Sequence, residues 1–190
     1  MTRLSDAFSF AAQCHDGMLR KGTTLPYIVH PAEVAAIAAA ITDDEEVLCA
    51  AVLHDVMEDC GVTLDDLTRR FGARVAQLVE SVTQIYEGDP RATWDIRKEY
   101  AVAQLRRGSR ETKIISLADK LSNMRAIHRD YDRYGDGVFL RFNQHDMHRH
   151  AWYYRSMAAL LEGELGGTDA WKELCTHVDY VFPAREGLAV

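Results

Sequence analysis

Residues 47–59, Val47-Leu48-Cys49-Ala50-Ala51-Val52-Leu53-His54-Asp55-Val56-Met57-Glu58-Asp59, decide how the chain is read. The first seven carry no polar side chain on any face, and a helix that is apolar all round belongs in a core. It runs straight into His54-Asp55. Two ionisable groups at the end of a buried helix are costly unless they are paired or bound to a metal. In a continuing helix, His54 and Glu58 stand four residues apart, as do Asp55 and Asp59, so each pair is stacked on neighbouring faces. One helix end then gathers an imidazole and three carboxyl groups, a concentration of charge that calls for a cation. A His-Asp dipeptide alone does not make a metal site, because a satisfied histidine beside surface acids explains it equally well.

Two features further out add weight. His30 precedes Pro31, and proline suits the first helical position, so His30 is expected at the N-cap of a helix, a rigid place for an imidazole. Asp119 ends the apolar run Ile114-Ile115-Ser116-Leu117-Ala118, and Asn123 follows four residues later on the same face. Two imidazoles and two carboxylates make a mixed N/O set that suits manganese, iron, zinc or a similar ion and leaves positions open. A structural zinc site would use thiolates instead.

The rest of the chain reads as helices. The spacing predicts them near 5–18, from Pro31 to about Ala40, and from about Thr42 to Asp59, where Thr42-Asp43-Asp44-Glu45 is a capping box and Gly61 a stop. Thr63-Leu64-Asp65-Asp66 caps a short fourth helix, and Gly72 separates it from a fifth at about 73–84. A loop is expected at 85–92, helices near 93–107 and 111–130, a turn at Gly135-Asp136-Gly137, and helices near 144–163 and 168–180. With four prolines and no convincing strand pattern, the expectation is one compact all-α domain over 1–190.

Composition narrows the function. An apolar share of 47% supplies a core, and the net charge of -7 argues against a general nucleic-acid surface. No run of about 18 apolar residues predicts a membrane span, and the N-terminus lacks the pattern of a signal peptide. The four cysteines lie at no CxxC spacing and read as reduced thiols of a cytoplasmic protein. Between Arg91 and Lys113, seven basic residues face three acidic ones, either a solvated face or a local field for an anionic small molecule. His145, His148 and His150 read as a solvated face, His15 as support for the loop after the first helix, and Cys60 as a small packed residue. Trp152, Tyr153 and Tyr154 read as core and rim, with one ring available to line a nucleotide pocket.

Longer words in the chain carry a family resemblance. The order His30, His54-Asp55, Asp119 resembles the signature of HD-domain phosphohydrolases. CHDGMLRKGTTLPYIVHPAEVAAI (14–37), AAVLHDVMEDCGVTLDDLTRRFGARVAQLVESVTQ (50–84) and KIISLADKLSNMRAI (113–127) resemble three segments of the hydrolase domain of RelA/SpoT-type alarmone enzymes. The likeness is strongest over 5–130, with 131–190 expected to complete the domain. Since 190 residues leave no room for a synthetase or regulatory domain, the chain is most similar to the small single-domain alarmone hydrolases. That resemblance implies manganese-dependent removal of the 3′-pyrophosphate of guanosine tetra- or pentaphosphate. It implies His30, His54, Asp55 and Asp119 as metal ligands, Glu58 and Asp59 as the catalytic acidic pair, and Arg20, Lys21 and Asn123 as substrate contacts. Lys120 and Arg125 are further candidates for balancing pyrophosphate charge. The sequence departs from the long enzymes at Ser122, where they carry histidine, and at Ala126, where they carry threonine. Two other functions remain open: hydrolysis of another nucleotide, such as a nucleoside monophosphate or dNTP, and a nucleotide-binding sensor or antitoxin role with a toxin partner. A homo-oligomer is also open.

Overall fold

The computed structural model describes residues 2–84 and 88–183, so the first three positions of the expected 85–92 loop lie outside the described residues. Ten α-helices and one 3-10 helix appear among these residues, and the sole strand-like feature is an isolated antiparallel bridge between Leu19 and Pro26. The helices are α1 (Arg3–Cys14), α2 (Val29–Ala39), α3 (Glu45–Leu53), α4 (Val56–Cys60), α5 (Leu64–Phe71) and α6 (Ala73–Val82). They continue as α7 (Trp94–Arg107), α8 (Arg110–Tyr134), the 3-10 helix (Gly135–Arg141), α9 (Met147–Leu165) and α10 (Asp169–Val181).

Two helices organise the bundle. α3 is buried along most of its apolar run 47–53 and packs against α1, α2 and α6, as that run requires. α8 has 25 residues, about 37 Å at 1.5 Å per residue. It packs against α2 on one side and α9 and α10 on another, with Ile115, Leu117, Ala118, Leu121 and Met124 fully buried. The buried core extends from Ala7 to Phe182, so the last helices share it. No described helix is long and apolar enough to cross a membrane.

The departures from the sequence reading fall close to the charged residues. α1 ends at Cys14 rather than near residue 18, because His15 closes it. α2 begins at Val29, so His30 sits inside the first turn and Ile28 is the N-cap. Pro31 is tolerated there because first-turn N–H groups have no intrahelical partner. Asp44, not Thr42, caps α3: its carboxylate accepts from the Glu46 N–H at 3.0 Å, and Thr42 Oγ1 accepts from the Asp44 N–H. The helix expected to run to Asp59 breaks at His54-Asp55. The His54 Nδ1–H donates to the Ala51 carbonyl at 2.9 Å, the oxygen that would take the Asp55 N–H in a continuing helix. Asp55 moves to φ -99°, ψ -6°, and the helix resumes as α4. Gly61, at φ 68°, ends α4 as expected. Thr63 and Asp66 form the complete capping box of α5. The turn expected at 135–137 is the start of the 3-10 helix.

Leu53 stands immediately before the break and is fully buried. Leu53→Ala should lower unfolding free energy by about 2–5 kcal/mol, measured by urea denaturation. A loss under about 1 kcal/mol would mean that this segment does not anchor the core.

Candidate metal centre and active site

Three helix segments bring four ionisable side chains to one point. His30 comes from the first turn of α2, His54 and Asp55 from the break between α3 and α4, and Asp119 from the middle of α8. The His30 Nε2 lies 3.6 Å from Asp55 Oδ2 and 3.2 Å from Asp119 Oδ1. The His54 Nε2 lies 3.0 Å from Asp55 Oδ2 and 3.8 Å from Asp119 Oδ1. One donor atom each from His30, His54 and Asp55 all lie within 4.8 Å of one another.

The chemistry of this set fits a divalent ion. The Nδ1 of His54 is occupied by the Ala51 carbonyl, which can only accept, so Nδ1 carries a hydrogen. Its Nε2 is buried and has no hydrogen-bond partner, although Asp55 is within reach of its charge. A buried, orphaned imidazole nitrogen facing two carboxylates is the arrangement a cation would complete. Without one, a proton takes that place. Burial pushes the His54 imidazole down, but the Asp55 and Asp119 carboxylates outweigh it and lift the pKa to about 9. Burial opposes ionisation of Asp55 and Asp119 too, yet the charges of His54 and Lys120 respectively hold both well below the usual carboxylate range. His30 is shifted down, mainly by burial.

Neighbours fix these side chains. The Tyr27 hydroxyl donates to Asp55 Oδ2 at 2.7 Å, and its ring stacks on His15 with centroids 4.8 Å apart. Burial and the Asp55 charge raise the tyrosine's pKa, so it stays a donor. His15 thus supports the loop after α1, with its Nδ1 bonded to the Ala11 carbonyl. The Asn123 Nδ2 donates to Asp119 Oδ1 at 2.6 Å, and Arg20 Nη2 donates to Asn123 Oδ1 at 2.9 Å. Asn123 therefore braces a carboxylate of the cluster and a loop arginine at once. Lys120 pairs with the other Asp119 oxygen.

A cavity of about 440 Å³ opens over this cluster. Glu58 and Asp59 stand exposed in its wall. Burial, and then the Asp55 charge, raises both pKa values. The Gln84 N–H donates to Glu58 Oε2 at 3.3 Å. Arg20 and Lys21 line the cavity from the loop pinned by the Leu19–Pro26 bridge. Gly22, at φ 73°, makes the loop's turn against Arg141, where an added Cβ would meet that side chain at 2.9 Å. Of the basic stretch 91–113, Arg97 and Lys98 face the cavity, whereas Arg106, Arg107 and Arg110 are exposed helix surface. Tyr153 and Tyr154 form part of the wall, and Lys98 lies 4.8 Å from the Tyr153 ring centre. A second cavity of about 160 Å³ shares His30, Asp55 and Glu58 with the first.

Some expectations are corrected here. His150 is not on a solvated face: it is buried among Trp94, Phe139 and Phe142, with Nε2 bonded to the Gln144 carbonyl, whereas His145 and His148 are exposed. Ser122, where the long enzymes carry histidine, is buried against His30. Cys60 fits a packed thiol, its pKa raised by burial to about 11. Tyr27 and Glu33 were missed because nothing about a lone tyrosine or a helix-face glutamate marks it in sequence.

The HD-domain family model matches residues 7–143, and the chain belongs to that family. A human guanosine-3′,5′-bis(diphosphate) 3′-pyrophosphohydrolase, MESH1, is 44% identical over 133 residues, 67% of this chain and 70% of the relative. The enzyme of that activity from Vibrio cholerae is 37% identical over 130 residues, and the chain spans only 18% of its length. A solved structure of a metazoan SpoT ortholog that hydrolyses ppGpp shares the fold with a TM-score of 0.75 and 26% identity, over 93% of this chain and 94% of that one.

The lifted pKa of His54 sets a pH test. The folded, metal-free protein holds this proton more tightly than the unfolded chain, whose histidine titrates at 6.5. The resulting stabilisation is complete below that pH and is lost as pH rises through about 9. Asp55 and Asp119 are ionised throughout that window. Metal-free protein should therefore lose several degrees of melting temperature across it, and Mn²⁺-loaded protein should lose less. Equal slopes with and without metal would contradict the assignment.

Proposed function

We propose that this chain is a metal-dependent phosphohydrolase that removes the 3′-pyrophosphate of guanosine tetra- or pentaphosphate, giving GDP or GTP and pyrophosphate. The observation that carries this reading is the meeting of the buried His30–His54–Asp55–Asp119 cluster with the acidic pair Glu58–Asp59 in the wall of a cavity lined by basic side chains. The two guanosine pyrophosphohydrolases and the ppGpp-hydrolysing fold relative support the substrate class. The whole chain acts as one hydrolase domain in this reading, in the cytoplasm, with manganese or another divalent ion held by the four ligands.

When bound, the metal would lower the pKa of a water and polarise a phosphoryl oxygen. The protein's own groups do the rest. Glu58, whose pKa is raised, is suited to take a proton from the attacking water at a carboxylate oxygen, and Asp59 stands beside it to relay that proton. Arg20, Lys21, Arg97 and Lys98 offset the charge of the polyphosphate and of the leaving pyrophosphate. The Tyr153 and Tyr154 wall gives the nucleoside an apolar surface. Asn123 acts here through Asp119 and Arg20 as well as toward substrate.

Metal-loaded protein incubated with guanosine tetraphosphate should release pyrophosphate. Preference for a nucleoside 5′-monophosphate or a dNTP in the same assay would instead assign another nucleotide, and tight binding without turnover would assign a sensor or antitoxin. Two variants separate the roles. Glu58→Gln should keep its metal while turnover falls about 10²–10⁴-fold, whereas Asp119→Ala should lose both metal and turnover. Metal content measured beside rate decides. Loss of metal from Glu58→Gln, or full metal and rate in Asp119→Ala, would refute the division of roles.

A further inference from the structure

Behind His30 lies a chain of hydrogen bonds whose directions can be worked out. The His30 Nδ1 is 2.8 Å from Ser122 Oγ, and Ser122 Oγ is 2.7 Å from Glu33 Oε2. The other oxygen of Glu33 accepts from Arg125 Nη1 at 3.0 Å. Arg125 is held in turn by Glu173, through Nε at 2.7 Å and Nη2 at 2.8 Å. A carboxylate only accepts, so the Ser122 hydroxyl spends its one hydrogen on Glu33. Ser122 Oγ must then accept from His30, which places the hydrogen on Nδ1. In the neutral ring the lone pair of His30 is left on Nε2, the atom that faces Asp55 and Asp119.

We propose that Ser122 and Glu33 are positioning residues that lock His30 in its Nδ1–H form, with Nε2 free to bind a divalent metal, and that Arg125 and Glu173 keep Glu33 in place. The role in metal binding rests on the reading of His30 as a ligand, but the hydrogen on Nδ1 follows from the bonds to Ser122 and Glu33 alone. His54 reaches the same state by a different route, through the Ala51 carbonyl. The two imidazoles are thus set by independent devices, one within the α3–α4 break and one across α2, α8 and α10. The second extends beyond residue 143, where the family match ends, and gives α10 a part in the site.

Glu33→Gln gives a specific test, because an amide has one acceptor. The charged Arg125 Nη1 claims that oxygen, so the amide nitrogen faces Ser122 and donates to it. The Ser122 hydroxyl, no longer drawn to a carboxylate, then turns to donate to His30 Nδ1, which moves the ring hydrogen to Nε2, where the Asp119 carboxylate can accept it. Glu33 is partly exposed, so the variant should fold. In metal-free protein labelled with ¹⁵N-histidine, long-range ¹H–¹⁵N spectra at pH 8 should show His30 protonated at Nδ1 in the wild type and at Nε2 in Glu33→Gln. Mn²⁺ affinity should fall about 10–100-fold in Glu33→Gln and in Ser122→Ala. An unchanged tautomer in Glu33→Gln, or wild-type Mn²⁺ affinity in both variants, would overturn the proposal. Failure of the wild type to bind Mn²⁺ would defeat the ligand reading and this role in metal binding, while the spectra would still decide the tautomer.

Discussion

Asp55 and Asp119 press two carboxylates against the same pair of buried imidazole nitrogens, where three helix segments meet. Charges of one sign so close together are tolerated in a core only if something positive stands between them. Much of the surrounding structure follows from that need. α3 breaks so that His54 can turn its Nδ1 back on the helix, Tyr27 donates to Asp55, and Lys120 and Asn123 share the oxygens of Asp119. The same concentration of negative charge, with a further acidic pair beside it, explains why basic side chains line the cavity of an acidic protein. The proposed polyanionic substrate would have to approach carboxylates, and the rim would offset that repulsion.

The supports of the cluster form two layers with different work. Groups within the α3–α4 break act over a few residues and are fixed as soon as that segment folds. Ser122, Glu33, Arg125 and Glu173 come from α8, α2, α8 and α10, so they meet only once the bundle is complete. Such long-range supports are how a fold holds side chains to within fractions of an ångström, which local helix propensity cannot do.

How much of this was legible in the sequence depends on whether the signal was local. The buried α3, the capping box at Thr63, the stop at Gly61 and the gathering of His30, His54, Asp55 and Asp119 could be read from residue type and spacing or from family words. The break at His54 could not, because the helical periodicity continues through it and a side-chain bond to Ala51 overrides it. Giving Pro31 the first helical place puts His30 two positions too early, at the N-cap, although the first turn tolerates proline beyond its first position. His150 looked solvated beside His148 and Arg149, yet tertiary packing of Trp94 and Phe139 buries it. In sequence, Ser122 stands out only as a departure from the long enzymes. Its contacts with residues 92 and 89 positions earlier leave no trace in local spacing.

The central claim is that these four side chains hold one divalent ion. Diffraction from crystals soaked in Mn²⁺, recorded where manganese scatters anomalously, tests it most directly. The account predicts one strong peak, about 2.0–2.3 Å from the Nε2 atoms of His30 and His54 and from carboxylate oxygens of Asp55 and Asp119. A peak bound elsewhere, ligation through Nδ1, or no peak in crystals of folded protein would contradict it.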